Sequence, residues 1–342
     1  MNTLRSSTSG LPLVRLALVA PLINELKQRH IDYREVLTEF KLVEEHIVHG
    51  DMFVTAPLMY GLVERLAEVS NDPHFGVRVG EKLDPFSWSP LVKSAELSNT
   101  VGEFLLRFLI DALDDASSVV YLLETKGERT TFREQRKVNG DITPKHNDGF
   151  TIAFLLTLLN RVLGDHWQGN RVLVRLCDPA VLPAGYLGVR AAMTDTFGPS
   201  INFPSSWLVL PLLLEKRMRY VVADLERTPV PSQWIEAFRQ ILQSHVHEFA
   251  LSTQRVADVC GLGKRTLARR LQAHGTSVQR EVVKIRKARA QQELAHTNRN
   301  VAEIAIMLGY SNITVFSHAF KRWTGLSPTE YRRGFVVEEN AG

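Results

Sequence analysis

The sequence predicts a chain of two unlike parts. Residues 1–225 read as a mixed α/β domain, and residues 235–333 as an all-α domain with two helix-turn-helix units joined by a linker helix. Three observations carry this prediction: basic side chains are concentrated in the second part, its apolar spacing turns purely helical, and it contains an internal repeat. Residues 226–234 are expected to link the domains and residues 334–342 to form an acidic tail.

At 342 residues with 44% hydrophobic and 8% aromatic content, the chain can bury more than one core. Its net charge of +4 conceals an asymmetry. Residues 1–233 carry 25 basic and 28 acidic side chains, whereas residues 234–333 carry 16 and 7, a net of +9. Such a segment is a candidate for binding a polyanion. A basic face that is merely solvated gives the same count, so motifs have to decide. Only Cys177 and Cys260 are present, far apart and outside any C-x-x-C spacing. That pattern excludes a disulfide scaffold or zinc finger and fits a reducing cytoplasm.

In the first part, apolar residues recur three and four apart over Leu13–Arg29, Pro57–Ser70, Val101–Ala112 and Phe150–Leu163, which predicts helices. Pro57 suits a first helical turn, where its missing N–H is not needed. The run LPLVRLALVAPL, Leu11 to Leu22, has the apolar look of an export signal. Arg15 interrupts it, no A-x-A site follows, and it is too short to span a bilayer, so it reads as an amphipathic or buried helix. VVYLLET (Val119–Thr125) and TTFREQRKV (Thr130–Val138) read as strands around a KGER turn, and RVLVRLC (Arg171–Cys177) as another, stopped by Asp178 and Pro179. The segment ERTPVPSQ (Glu226–Gln233) has two prolines where the charge balance changes, and a long helical pattern begins near Trp234.

The repeat appears when RVADVCGLGKRTLARRLQAHGTS (Arg255–Ser277) is set beside EIAIMLGYSNITVFSHAFKRWTGLS (Glu303–Ser327). Ala257 matches Ala305, Gly261 matches Gly309, Leu267 matches Phe316, Leu271 matches Phe320, Gly275 matches Gly325 and Ser277 matches Ser327. A small residue four before a glycine lets two helices cross closely, and the glycine can take the left-handed conformation of a sharp turn. In each second helix, Leu267 with Leu271 and Phe316 with Phe320 form an i, i+4 apolar pair facing the core. The opposite face then carries Arg265, Thr266, Arg269 and Gln272 in the first unit, and Thr314, His318, Lys321 and Arg322 in the second. These side chains can bond base edges or phosphates from a helix in the major groove. SVQREVVKIRKARAQQELAHT (Ser277–Thr297) contains no Gly or Pro and reads as one helix holding the two units apart. Reading helices on one DNA face would then sit about one turn apart, roughly 34 Å.

On these residues, and on VAEIAIMLGYSNITVFSHAFKRWTGLSPTEYRR (Val301–Arg333) above all, the second part resembles the DNA-binding domain of the AraC/XylS family. The resemblance implies a transcription regulator, most often an activator that recruits RNA polymerase. It places base contacts on Arg265, Ala268, Arg269, Ile313, Thr314, Ser317 and His318, four of which the periodicity also selects. Ala268 and Ile313 depart from the polar readers common there and offer only apolar contact, for example to a thymine methyl. Arg270, Gln272, Arg280, Lys321 and Arg322 are the expected phosphate contacts. The first unit is one residue short before Gly275, which predicts a shorter reading helix.

The first part resembles, in patches, the regulatory domain of the branch that includes ornithine-utilisation regulators, through DPHFGVRVGEKL (Asp72–Leu83) and FGPSINFPSSWLVLPL (Phe197–Leu212). That implies effector sensing or self-association as a homodimer, and leaves both open. Phe86, Trp88, Trp167, Phe203 and Trp207 could line an effector pocket, although aromatics in a mixed fold are more often core. A regulator controlled by a protein partner and a DNA-tethered enzyme are the rival readings. Enzyme signatures are weak. His46 and His49 share a face at i, i+3 with no third metal ligand, GLGKRT lacks the spacing of a phosphate loop, and neither G-x-S-x-G nor G-x-G-x-x-G occurs. No catalytic residue, metal, cofactor or membrane contact is expected.

Overall fold

In this computed structural model the described residues are 11–48, 52–84, 94–112, 115–138, 142–195, 197–212, 233–249 and 251–339. They divide into two compact units, Leu11–Ser232 and one containing Gln233–Gly342.

The first unit mixes helices and sheets around two cores. Strands β1 (Leu13–Arg15) and β2 (Phe53–Thr55) pair antiparallel, and helices α1 (Ala20–Gln28), α2 (Arg34–Glu39), α3 (Glu44–Val48), α4 (Ala56–Ser70) and α5 (Phe75–Lys82) gather around them. Leu22, Leu26, Leu37, Leu62, Leu66 and Phe75 fill that core. The second core lies between a five-stranded sheet and helices α6 (Val101–Asp111) and α7 (Lys145–Leu163). The sheet runs β3 (Val119–Lys126), β4 (Arg129–Arg136), β7 (Ser200–Pro204), β5 (Leu173–Leu176) and β6 (Arg190–Met193), antiparallel except for β5 against β6.

Helix α5 crosses α7 almost backbone to backbone. A Cβ on Gly76 would stand 2.0 Å from the His146 carbonyl oxygen, and one on Gly80 2.4 Å from that of Phe150. Two glycines four apart on one face therefore set the crossing. Beside it, Arg136 and Asp148 form a fully buried ion pair, with Arg136 5.1 Å from the Tyr60 ring centroid and Asp148 accepting the Cys177 N–H at 3.0 Å.

The expected helix over Leu13–Arg29 begins late. Leu13–Arg15 is a fully buried strand, a short tight helical turn follows, and α1 starts only at Ala20. Pairing with β2 and a buried ion pair between Arg15 and Asp115 override the local helical periodicity. Helix α7 starts at Lys145, five residues ahead of the expected Phe150, whereas α4, α6, β3, β4 and β5 fall close to their predicted spans.

The second unit is all helical: α8 (Trp234–His245), α9 (Thr253–Val259), α10 (Lys264–Ala273), α11 (Val278–His296), α12 (Val301–Met307), α13 (Ile313–Thr324) and α14 (Pro328–Glu339). Helix α14 runs past Arg333 into the stretch expected as a tail; Glu330 supports its first turn by exchanging hydrogen bonds with Ser327. Most of the expected link, residues 226–232, lies outside the described residues.

Candidate nucleic-acid interface

The two repeated turns are built alike down to single hydrogen bonds. In the first, the Leu262 N–H donates to the Ala257 carbonyl at 2.9 Å and the Gly261 N–H to that of Asp258 at 3.0 Å. In the second, Tyr310 donates to Ala305 at 3.0 Å and Gly309 to Ile306 at 2.9 Å. Gly261 and Gly309 are left-handed at φ 63° and 73°. This six-to-one closure satisfies carbonyls at the end of each first helix and turns the chain into the second. Ala257 and Ala305 are both fully buried at the crossing.

The repeat's offset drifts for two visible reasons. The turn between α12 and α13 is one residue longer than that between α9 and α10, and α13 has 12 residues where α10 has 10. The helix ends also differ. Helix α13 is capped by Asn312, whose side-chain oxygen accepts the Val315 N–H at 2.9 Å, while α10 is preceded by Gly263, which has no side chain to cap it.

Leu267, Leu271, Phe316 and Phe320 are buried, and this fixes the outward faces. Arg265, Ala268, Arg269 and Gln272 are exposed on α10, with Thr266 and Arg270 half-buried. On α13 Ile313, Thr314, His318, Lys321 and Arg322 are exposed and Ser317 half-buried. The side chains of Arg265 and Arg269 form no hydrogen bond or ion pair with any described residue. Other arginines of this unit are engaged: Arg239 with Glu281 at 2.8 Å, Arg255 with Glu248 at 3.0 Å, and Arg332 with the carbonyls of Leu294 and Arg299 at 3.2 and 2.7 Å. Arg270 lies 5.7 Å from the ring centroid of Trp234, which stacks on Phe238 and His274 at 5.4 and 5.6 Å. Arg280 reaches back to the Gly275 carbonyl at 3.4 Å.

Helix α11 joins the units, and its buried side chains divide between them. Val278, Glu281 and Val282 are buried near its start, where Glu281 meets Arg239 of α8 and Thr276 at the end of the first helix-turn-helix unit, while Ala290 and Leu294 enter the core formed by Ile304, Ala305, Phe316 and Phe320. Burial opposes charge on Glu281, yet hydrogen bonds from Arg239, Thr276 and Lys284 hold its carboxyl down at about 2. The carboxylate thereby ties α8, the turn after α10 and the linker helix together. Lys287 donates to the Trp323 carbonyl at 2.9 Å and braces the end of α13. Sequence reasoning missed these braces, because an arginine or glutamate on an exposed-looking helix carries no mark of its distant partner.

In the first unit, Trp207 stacks on Phe203 at 5.9 Å and packs at a tilt against Trp167 at 5.6 Å; Phe203 and Trp207 are core residues and Trp167 is half-buried. Phe86 and Trp88 lie outside the described residues, as does His49. Among the described residues no group of three or more metal-ligating side chains occurs, and no helix is long and apolar enough to cross a membrane. Cys177 and Cys260 are free thiols, and burial raises the pKa of each.

Comparison with known proteins follows this division. The arabinose-binding N-terminal domain of AraC transcription regulators matches residues 31–212, more than half of the chain, and a helix-turn-helix domain matches residues 256–334. An uncharacterized HTH-type transcriptional regulator of Mycobacterium tuberculosis, Rv1395, is 40% identical over 78 residues, 23% of this chain and 23% of its own length. The ornithine utilization regulator of Pseudomonas aeruginosa is 29% identical over 141 residues, 39% of this chain and 40% of its own. These matches thus span less than half of either relative. The crystal structure of the transcriptional regulator CdpR from Pseudomonas aeruginosa aligns over 93% of this chain and 98% of its own at 18% identity, with a TM-score of 0.41.

Proposed function

The chain belongs to the AraC/XylS family of DNA-binding transcription regulators, and from that premise we propose a sequence-specific activator that lays α10 and α13 in successive major grooves of promoter DNA. Base edges are read by Arg265, Thr266, Ala268 and Arg269 in one groove and by Ile313, Thr314, Ser317 and His318 in the next. Arg270, Gln272, Arg280, Lys321 and Arg322 hold the flanking phosphates. The observation that carries this reading is the contrast among arginines: those that brace the fold are bonded, and Arg265 and Arg269 project unbonded from the outward face of a reading helix.

The first unit, on this proposal, senses a small molecule or mediates self-association, and the DNA-bound protein recruits RNA polymerase. Among the described members of the aromatic group, half-buried Trp167, packed at a tilt against Trp207, is the one open to an effector. A metabolite that binds the native state raises the melting temperature, and one seated there also changes tryptophan fluorescence.

Selection of duplexes from a randomised pool by the full chain tests the DNA reading. Two enriched motifs about 10 bp apart, centre to centre, are expected. A single motif, or none, would contradict it.

A further inference from the structure

A single helix touching each unit along one face joins the two without preventing either from rocking. The structure holds a second connection at Arg286, halfway along α11. Its Nε and Nη2 donate to the Val246 carbonyl at 3.2 and 2.9 Å, and Nη2 also reaches the Glu248 carbonyl at 3.2 Å. The same guanidinium lies 5.0 Å from the ring centroid of Tyr310, in the turn between α12 and α13.

Each end of this contact continues into a reading unit. Val246–Glu248 leads toward α9, and the Glu248 carboxylate accepts from Arg255 of α9 at 3.0 Å and pairs with His245 at 2.8 Å. Tyr310 packs on Phe316 and Trp323 of α13, ring centroids 5.5 and 6.3 Å away. A chain of contacts thus runs from α9 through Glu248, Arg286 and Tyr310 to α13, crossing the linker helix. The partners of the guanidinium include two backbone carbonyls and the Tyr310 side chain, ring and hydroxyl. Only a planar fork of donors can satisfy all of them together.

We propose that Arg286 is a positioning residue for DNA recognition: it clasps one helix-turn-helix unit to the other and so fixes the half-site spacing that the protein accepts. The inference rests on the reading that both α10 and α13 enter the major groove. One inserted base pair moves a half-site by about 3.4 Å and turns it by roughly 34°. A rigid pair of readers cannot follow both changes and forfeits the second contact, whereas a loosely joined pair keeps most of it.

The test uses the full chain and the duplex enriched by selection, remade with the half-sites one base pair closer and one, two and five base pairs farther apart. The unmodified protein is expected to lose roughly tenfold or more in affinity for a one-base-pair change. Arg286→Met should reduce that loss to about threefold or less, while its affinity for a duplex carrying one half-site stays within about twofold. Arg286→Lys, with a point charge in place of a fork, should fall between the two. Circular dichroism checks that each variant is folded. If Arg286→Met does not fold, Tyr310→Leu, which removes the ring and keeps the linker helix intact, is read in its place. A folded variant with the unmodified spacing profile overturns the clasp alone. A flat profile in the unmodified protein overturns the clasp and the two-helix reading together.

Discussion

The carbonyl oxygen of Glu248 lies 2.7 Å from the point where a Cβ on Gly309 would stand. The corresponding glycine of the first repeat, Gly261, has no atom within 4 Å of that point. Both are left-handed, so alanine at either is strained by about 1–2 kcal/mol. Only at Gly309 must backbone also move, which adds roughly 1–3 kcal/mol. Gly309→Ala should therefore lower the urea midpoint clearly more than Gly261→Ala. Equal losses would mean that the 246–248 segment does not press on the second turn.

A second pair of substitutions separates reading from holding. Arg269→Ala should cost about 1–3 kcal/mol on the selected duplex and relax preference at one base pair, as expected for a lost bidentate guanine contact. Lys321→Ala should weaken binding to all sequences alike and reduce the salt slope by about 1. The two are compared by titrating the selected duplex and single-base variants at several salt concentrations. Unchanged discrimination in Arg269→Ala would remove the base-reading role.

What was legible in advance follows from how local each cause is. Gly261 and Gly309 sit four residues after a small alanine because the turn demands it, so spacing alone exposed both units and their outward faces. Leu13–Arg15 has helical periodicity, but its strand depends on Phe53–Thr55, forty residues on, and on Asp115. Gly76 and Gly80 carry no local turn signal in the sequence. Their reason is the backbone of α7, whose carbonyl oxygens pass 2.0 and 2.4 Å from where the side chains would begin. Arg286 was unreadable for the same cause: its acceptors are carbonyls, which every residue has.

The two units should contribute unequally to specificity. Helix α10 presents two unbonded arginines, whereas α13 presents Thr314, Ser317 and His318, which are shorter and reach fewer acceptors. Base changes in the half-site under α10 should cost more than matching changes under α13, by about 1 kcal/mol or more. Titrations with singly altered duplexes measure this. Equal losses at both half-sites would refute the asymmetry.

The last prediction concerns pH and the buried charges of the first unit. Burial raises Glu134 to about 7, only partly offset by Arg136, whose guanidinium is 3.9 Å away. Burial likewise raises Glu64 to about 7, against hydrogen bonds from the backbone of His146 and Asn147. A carboxyl that holds its proton more tightly when folded adds stability at low pH and loses it as pH climbs from its ordinary value near 4.5 to about 7. His146 works in the opposite sense. Burial lowers it to about 4, so folding keeps it neutral, and its contribution is complete above 6.5 and lost as pH falls toward 4. Between about pH 6.5 and 7 the two carboxyls therefore decide the slope, and stability should decline with rising pH. Glu134→Gln, which stays neutral at any pH, should flatten that decline in thermal melts of the full chain taken from about pH 5 to 8. A variant with the same slope as the unmodified protein would show that Glu134 is already charged in the folded unit, held so by Arg136.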